Sequence, residues 1–400
     1  MSSFAWLDFS ESDRQTALDV IDLFREKGTV DELGIGTIRD AIADLLFPGT
    51  STIMTRARYY LFVPWIYLRH ERKKTPSSEI AQAARKDEIA LVDALVRGGE
   101  SRGVIGIEAR AQLKRLPSTV YWQGLGVLGI RRFPKSRDHY HRALDSFYKK
   151  GDDVLRGDDK HVISGGHLRR WDPAIPPAPP GFPRDSTTLE LSPDEGNYLR
   201  ERVITAAPHS LFAILVNAPP DDLDIAFPWE HPRHLEFPPR NRFELMHARN
   251  FSETMHGAAL LYNLMLAEKT KNEELIEIYE MRMQGWTNDL QARRGDLDVW
   301  KHSEFWTLVH GTGRHIPWPT EAFVTHWLDR VSGKDLSAIR SSQPARTSIV
   351  AREKALKAGL ARLDSTRSLT WGGASSSEQL DYRWNRPVKT LLADIRAPLD

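Results

Sequence analysis

Apolar residues recur at helical spacing along most of the chain. Ser10-Glu11-Ser12-Asp13 has the form of a capping box, and Ala17, Val20, Ile21 and Phe24 follow at i, i+3, i+4 and i+7. The pattern predicts an amphipathic helix that Gly28 stops. Thr37-Ile38-Arg39-Asp40 repeats the capping pattern, and Ile38, Ala41, Ile42, Leu45 and Leu46 form a buried stripe ended by Phe47-Pro48-Gly49. A third helix is predicted after Thr50-Ser51-Thr52, with Ile53, Ala57, Tyr60, Leu61, Pro64, Trp65 and Leu68 in register. Met54 and Phe62 fall elsewhere on its wheel, so it should be apolar most of the way round and central. Pro64 should kink or divide it, since proline lacks an amide hydrogen and clashes with the preceding turn.

Farther on, His70–Ser78 reads as a loop and Ile80–Arg97 as a helix closed by Gly98-Gly99. Val104–Lys114 and Ser118–Leu128 read as two short helices separated by Leu116-Pro117, and Arg137–Lys150 as another. Gly151–Asp159 is a charged turn region. The proline-dense Trp171–Pro183 should be extended, either a connector between domains or a strap over a surface. Ser192-Pro193-Asp194-Glu195 is a helix start, with proline at the first position and glutamate at the third. A second proline-rich stretch spans Pro219–Pro239. Helical spacing then dominates: Phe251 to Met265, Leu275 to Trp286, Trp300–His310, Glu321–Val331, the basic Ile349–Leu363 and a last helix near Pro387–Arg396, after a loop at Gly372–Ser377. The fold class is mainly α, a multi-domain helical protein whose only sign of strand is a small hairpin near Gly129–Phe133. The expected division is an N-terminal helical domain (1–75), a basic module resembling a winged helix (76–160), a proline-rich connector with one helix (161–240) and a C-terminal helical domain (241–400).

Composition narrows the class. A chain of 400 residues can bury a substantial core, and 40% hydrophobic with 27% charged residues is ordinary for a globular protein. There is no cysteine, which excludes disulfides, thiolate metal sites and a cysteine nucleophile, and makes a reducing cytoplasm the expected setting. The opening residues lack the basic and apolar regions of a signal peptide, and the longest apolar run, Tyr59–Leu68, is too short to span a bilayer, so no membrane partner is expected.

Charge changes the picture more. The net charge is only +1, yet residues 51–150 carry 20 basic and 9 acidic side chains, and residues 1–50 carry 4 and 10. Arginine supplies 39 of the 55 basic residues, and its planar fork suits phosphate and carboxylate. Such segregation points to a polyanion or an acidic protein partner, or to arginines paired with acids from elsewhere in the chain.

Linear catalytic motifs are missing. There is no phosphate-binding GxxxxGK[ST] loop, Gly34-Ile35-Gly36 is too short for a dinucleotide loop, and neither HExxH nor GxSxG occurs. The pairs His231/His234 and His310/His315 lack a third ligand at a diagnostic distance, and Glu71-Arg72-Lys73 has the ExK form of many nucleases but falls in a predicted loop. No catalytic residue, metal site or cofactor is indicated.

Two segments suggest anion binding. The first gathers Thr50, Ser51 and Thr52 at a predicted helix start, with Arg56 and Arg58 beyond it and Arg39 on the helix before. Free amide groups and the positive end of a helix dipole favour phosphate there, and the bland alternative is an ordinary cap with Arg56 or Arg58 paired to Asp40 or Asp44. The second is Arg102–Arg142, with 9 basic and 2 acidic residues interleaved with Tyr121, Trp122, Phe133 and Tyr140. Two short helices and Gly129-Ile130-Arg131-Arg132 suggest a helix-turn-helix with a wing. Ser118–Leu128 would be the recognition helix, exposing Thr119, Gln123 and Tyr121, with Lys114, Arg115, Arg131, Arg132 and Arg137 on phosphates. Gly124 and Gly126 weaken that helix by about 1 kcal/mol each relative to alanine. A helical module with an aromatic core and no ligand explains the same residues.

The segment GIGTIRDAIADLLFPGTSTIMTRARYYLFVPWIYL at Gly34–Leu68 resembles the N-terminal signature of an uncharacterised bacterial family. The resemblance continues through Leu116–Trp122 (LPSTVYW), His247–Glu268 (HARNFSETMHGAALLYNLMLAE) and Leu380–Trp384 (LDYRW). It implies a cytosolic protein of bacterial anti-phage defence or mobile loci, encoded near helicases and phospholipase-D-like nucleases, and it supplies no activity. The leading expectation is therefore a non-catalytic helper of a defence system that binds DNA, rather than RNA, or a DNA-processing partner. The alternatives are an enzyme with a non-linear phosphate site at Arg39–Arg58 and a scaffold for a helicase or nuclease subunit.

Overall fold

The computed structural model describes residues 31–152, 170–218, 223–333 and 336–399. The capping box at Ser10–Asp13, the stripe from Ala17 to Phe24, the stop at Gly28 and most of the turn region Gly151–Asp159 lie outside the described residues. Among the described residues helices dominate and there is no strand, only an isolated antiparallel bridge between Arg131 and Trp171 where a hairpin was expected. The helices are α1 (Gly36–Leu46), α2 (Tyr59–Arg72), α3 (Ile80–Arg97), α4 (Pro117–Val127), α5 (Arg137–Asp152), α6 (Pro193–Ala206), α7 (Leu211–Leu215) and α8 (Pro239–Thr270). They continue with α9 (Glu273–Ala292), α10 (Arg294–Asp298), α11 (His302–His310), α12 (Trp318–Val331), α13 (Gln343–Lys357) and α14 (Lys389–Arg396). The chain forms two compact units, one from Ala43–Phe243 with Asp381–Asp400, the other from Glu244–Leu380 with the residues up to Ile42. This differs from a segmentation at 75, 160 and 240, because the last twenty residues rejoin the first half of the chain.

The unit containing Ala43–Phe243 is built on α2. Its run of large apolar residues buries Tyr59 through Tyr67 without a break, and the helix passes through Pro64 undivided. Around it stands a connected set of aromatic rings. Tyr121 of α4 lies edge-on to Tyr60 at 5.0 Å, and Trp122 meets Tyr67 at 5.5 Å and Tyr140 of α5 at 5.5 Å. Edge-to-face pairs of this kind add about 0.5–1.5 kcal/mol each beyond the area they bury. The proline-dense Trp171–Pro183 is a strap across this unit: Trp65 donates its indole N–H to the Pro176 carbonyl at 2.7 Å, and Phe182 stacks on Phe62 at 5.6 Å. Helix α6 opens with the expected capping box, Glu195 N–H donating to Ser192 Oγ at 3.3 Å and Ser192 N–H to Glu195 Oε2 at 3.0 Å.

Two expected starts move. Helix α1 is capped from upstream by Asp31, whose carboxylate accepts the N–H groups of Ile35 at 3.0 Å and Gly36 at 2.5 Å. The third helix begins at Tyr59, not Ile53, because Thr55 and Arg56 donate their N–H groups to the Tyr121 hydroxyl at 2.9 and 3.1 Å. Val104–Lys114 is a run of turns with one 3-10 turn at Arg110–Gln112, so no helix precedes α4 in the way a helix-turn-helix requires.

The other unit is organised along the 32-residue α8. Tryptophans from three later segments dock on it by their indole N–H groups: Trp286 to Glu253 O at 2.8 Å, Trp327 to Thr254 O at 2.9 Å and Trp300 to His247 Nδ1 at 2.8 Å. A buried carboxylate pair, Glu32 and Glu353, is matched by Lys357 and Arg362 and bridged by the Tyr262 hydroxyl at 3.1 and 2.7 Å. Removing one partner from such a buried cluster is costly, because it leaves a charge without compensation.

Candidate nucleic-acid interface

Helix α4 begins with Pro117 at its first position, and its preceding residue, Leu116, offers no side chain to cap it. The cap comes instead from α3. Buried Glu88 accepts Ser118 N–H at 2.7 Å and Ser118 Oγ–H at 2.8 Å, which places a carboxylate at the positive end of the helix. Burial pushes the Glu88 carboxyl up to about 7, against the pull of Ser118, Arg137 and Arg85. Nearby, the Tyr67 hydroxyl and His141 Nε2 share a hydrogen bond at 3.0 Å, and burial holds the imidazole down to about 4.

The body of α4 faces inward through Val120, Tyr121, Trp122, Gly124 and Leu125. Thr119, Gln123 and Val127 are exposed, a single stripe at four-residue spacing. Tyr121, expected on that face, is fully buried. Gly124 lies where the turn after Phe47 touches the helix: a Cβ there would stand 2.2 Å from the Gly49 carbonyl oxygen. The glycine that weakens the helix is thus what lets another segment pack on it.

Cations gather at the first turn. Arg85 of α3 donates to the carbonyls of Leu113 at 2.8 Å and Ala111 at 2.9 Å, fixing the segment that carries exposed Lys114 and Arg115. Neither of those two side chains makes an ion pair among the described residues. Arg137 opens α5 and donates through one nitrogen to Ser118 Oγ at 2.8 Å and Thr119 Oγ1 at 2.7 Å. The Lys135 carbonyl accepts the Trp122 indole N–H at 3.2 Å, which brings the exposed Lys135 side chain beside α4. The structure therefore brings together Lys114, Arg115, Thr119, Gln123 and Arg137, and adds Lys135. The basic count of Arg102–Arg142 contained that lysine without singling it out.

The wing arginines sit differently. Arg131 is buried at 6% exposure, its guanidinium 5.0 Å from the Trp122 ring, with Nε donating to Trp122 O at 3.1 Å and a terminal nitrogen to the carbonyls of Phe133 and Lys135. Burial lowers its pKa. Arg132 is exposed and paired with the buried Asp172 at 2.9 Å. The aromatic residues interleaved with these cations, Tyr121, Trp122, Phe133 and Tyr140, are members of the ring cluster.

Four of the six residues of the other expected anion site, Arg39, Thr50, Arg56 and Arg58, are engaged by carboxylates and carbonyls, whereas the buried Ser51 hydroxyl has no hydrogen-bond partner among the described residues. Arg39 pairs with Asp40 at 3.0 Å, and Thr50 Oγ1 donates to Phe47 O at 2.7 Å. Ser51 is half-buried and Thr52 exposed, on a turn and not at a helix start. Arg56 forks onto Asp394 at 2.8–2.9 Å. Arg58 reaches Glu195 and the Thr188 carbonyl, both at 2.9 Å, over the faces of Phe62 and Trp65. It also borders a cleft of about 230 Å³ with Pro179, Pro180, Phe182 and Thr188. Neither Asp40 nor Asp44 is the partner of Arg56 or Arg58, and Asp44 binds Arg383 at 2.7 Å.

Glu71 of the ExK tripeptide lies on α2 and accepts Arg170, Tyr140 and Trp171, a structural role. Among the described residues no group of three His, Asp or Glu side chains is placed to hold a metal ion, and no helix is long and apolar enough to cross a membrane.

Comparison with known protein families matches residues 1–395 to the Family of unknown function (DUF6361), and the chain belongs to that family. No curated protein and no solved structure matches the chain.

Proposed function

We propose that this protein is a non-catalytic nucleic-acid-binding component, with DNA as its ligand and the first turn of α4 as its contact surface. One observation carries the reading: Lys114, Arg115, Lys135 and the half-buried Arg137 flank an exposed stripe, and none of the four forms an ion pair among the described residues, Arg137 being the one that pulls on the Glu88 carboxyl. Guanidinium and ammonium groups held at one place on a folded surface neutralise phosphates and release their counterions. The resemblance described above extends the proposal to a helper role beside DNA-processing enzymes in bacterial defence.

The test is fluorescence anisotropy with labelled DNA across a salt series. Four neutralised phosphates predict a slope of log K against log salt of about −3.6. Lys114→Glu with Arg115→Glu should remove most of the affinity. Both residues are exposed, so unfolding free energy should change by no more than about 0.5 kcal/mol. Absence of binding at low salt, or an affinity unchanged by the double reversal, would defeat the proposal.

A further inference from the structure

We infer that the α4 surface takes a double helix by its phosphates alone, without reading its sequence. The inference rests on the proposal that this surface binds nucleic acid, and it names the form of the ligand.

Three observations converge. First, α4 exposes only Thr119, Gln123 and Val127, Gly126 beside Val127 is half-buried, and the rest of its circumference is buried. A helix that reads bases enters a major groove about 12 Å wide and must present most of its free side to the base edges. One stripe on an embedded helix can lie along a backbone but cannot enter the groove. Second, the amide end of α4 is closed by Glu88, so no phosphate sits on the helix terminus and contact falls to the cationic side chains. Third, binding of single strands draws on aromatic faces for the bases to stack on. The rings of this segment are committed to one another: Trp122 to Tyr67 and Tyr140, and Tyr121 to Tyr60. What the surface offers is positive charge and two short polar side chains, which complement the regular phosphate rows of a duplex.

The experiment uses the full chain and short oligonucleotides of about 20 base pairs, roughly two turns of helix. The probes are AT-rich, GC-rich and mixed DNA duplexes, an RNA duplex, and the single strands of the mixed duplex. The expected result is equal affinity for the three DNA duplexes within about threefold, where specific recognition would separate them by about a thousandfold or more. Single strands should bind at least about tenfold more weakly. The RNA duplex arm tells which double helix is preferred: either preference supports the inference about form, and a preference for RNA overturns DNA as the ligand of the proposed function. A hundredfold preference for one DNA sequence, or single strands binding as well as duplexes, overturns the inference while the proposed surface stands. Loss of all binding, or binding indifferent to Lys114→Glu with Arg115→Glu, instead overturns the proposed function.

Discussion

The turn from Phe47 to Arg58 and the first turn of α4 look alike in composition. Each has hydroxyl residues, arginines and a helix start close by. In the first, Arg56 and Arg58 are taken by Asp394 and Glu195, and the hydroxyl of Thr50 closes its own turn. In the second, a carboxylate is also present, but Glu88 caps the backbone and leaves Lys114, Arg115 and Lys135 to solvent. The availability of a cation therefore depends on which group the nearby acid satisfies. Arg56 is fixed to an acid 338 residues away, a distance at which local spacing carries no information.

Three substitutions probe that contrast, the largest effect first. Asp394→Ala leaves the Arg56 guanidinium unpaired in a site where the side chains are 23% and 8% exposed. Stability should fall by about 3 kcal/mol, read by urea unfolding, because a buried charge without its partner is far costlier than the pair. An unchanged midpoint would mean that the first turn is as open as the second. Glu88→Gln tests the cap of α4. The Glu88 carboxyl is raised from 4.5 to about 7, so the folded state holds a proton that the unfolded chain releases. Stability from this group is greatest below about pH 4.5 and declines as pH rises to about 7. The variant should therefore gain on the natural protein by up to about 3 kcal/mol between those limits, at 1.36 kcal/mol per pKa unit. Taking the difference matters, because buried His141 and His247, both held down to about 4, push the opposite way as they discharge on folding. A difference independent of pH would remove the buried carboxylate from the account. Gly124→Ala acts where the two regions touch, since its Cβ would stand 2.2 Å from Gly49 O. The expected loss is about 1–3 kcal/mol in thermal unfolding, the range for overpacking, although alanine favours the helix itself. A stabilised variant would show that the turn can move away freely.

Much of the fold was legible because its signals are local. Ile80–Arg97 is bounded as its apolar stripe and Gly98-Gly99 indicate, and Ser192–Glu195 caps α6 through the two bonds its pattern implies. The apolar run from Tyr59 is central for the reason its wheel gives. Val104–Lys114 misleads because apolar spacing persists while Gly103 and Gly106 take φ of +78° and +91°, a conformation that ends a helix. At the candidate site, the exposure of Thr119 and Gln123 follows from helical periodicity. The burial of Arg131 does not, since it depends on the Trp122 ring and carbonyl, which α4 brings against it beside the neighbouring carbonyls of Phe133 and Lys135. Aromatic residues among arginines read equally as a stacking platform or a core, and tertiary contact alone separates the two.

The seating of α14 also sets a timetable. Leu391, Leu392 and Ile395 are buried in the unit that contains Ala43–Phe243, and Asp394 between them is made long after the Arg56 it answers. At roughly 5–20 residues per second, the 338 residues between Arg56 and Asp394 take about 17 to 70 seconds to translate. Throughout that interval the Arg56 guanidinium lacks its Asp394 and the seat of Leu391, Leu392 and Ile395 stays vacant.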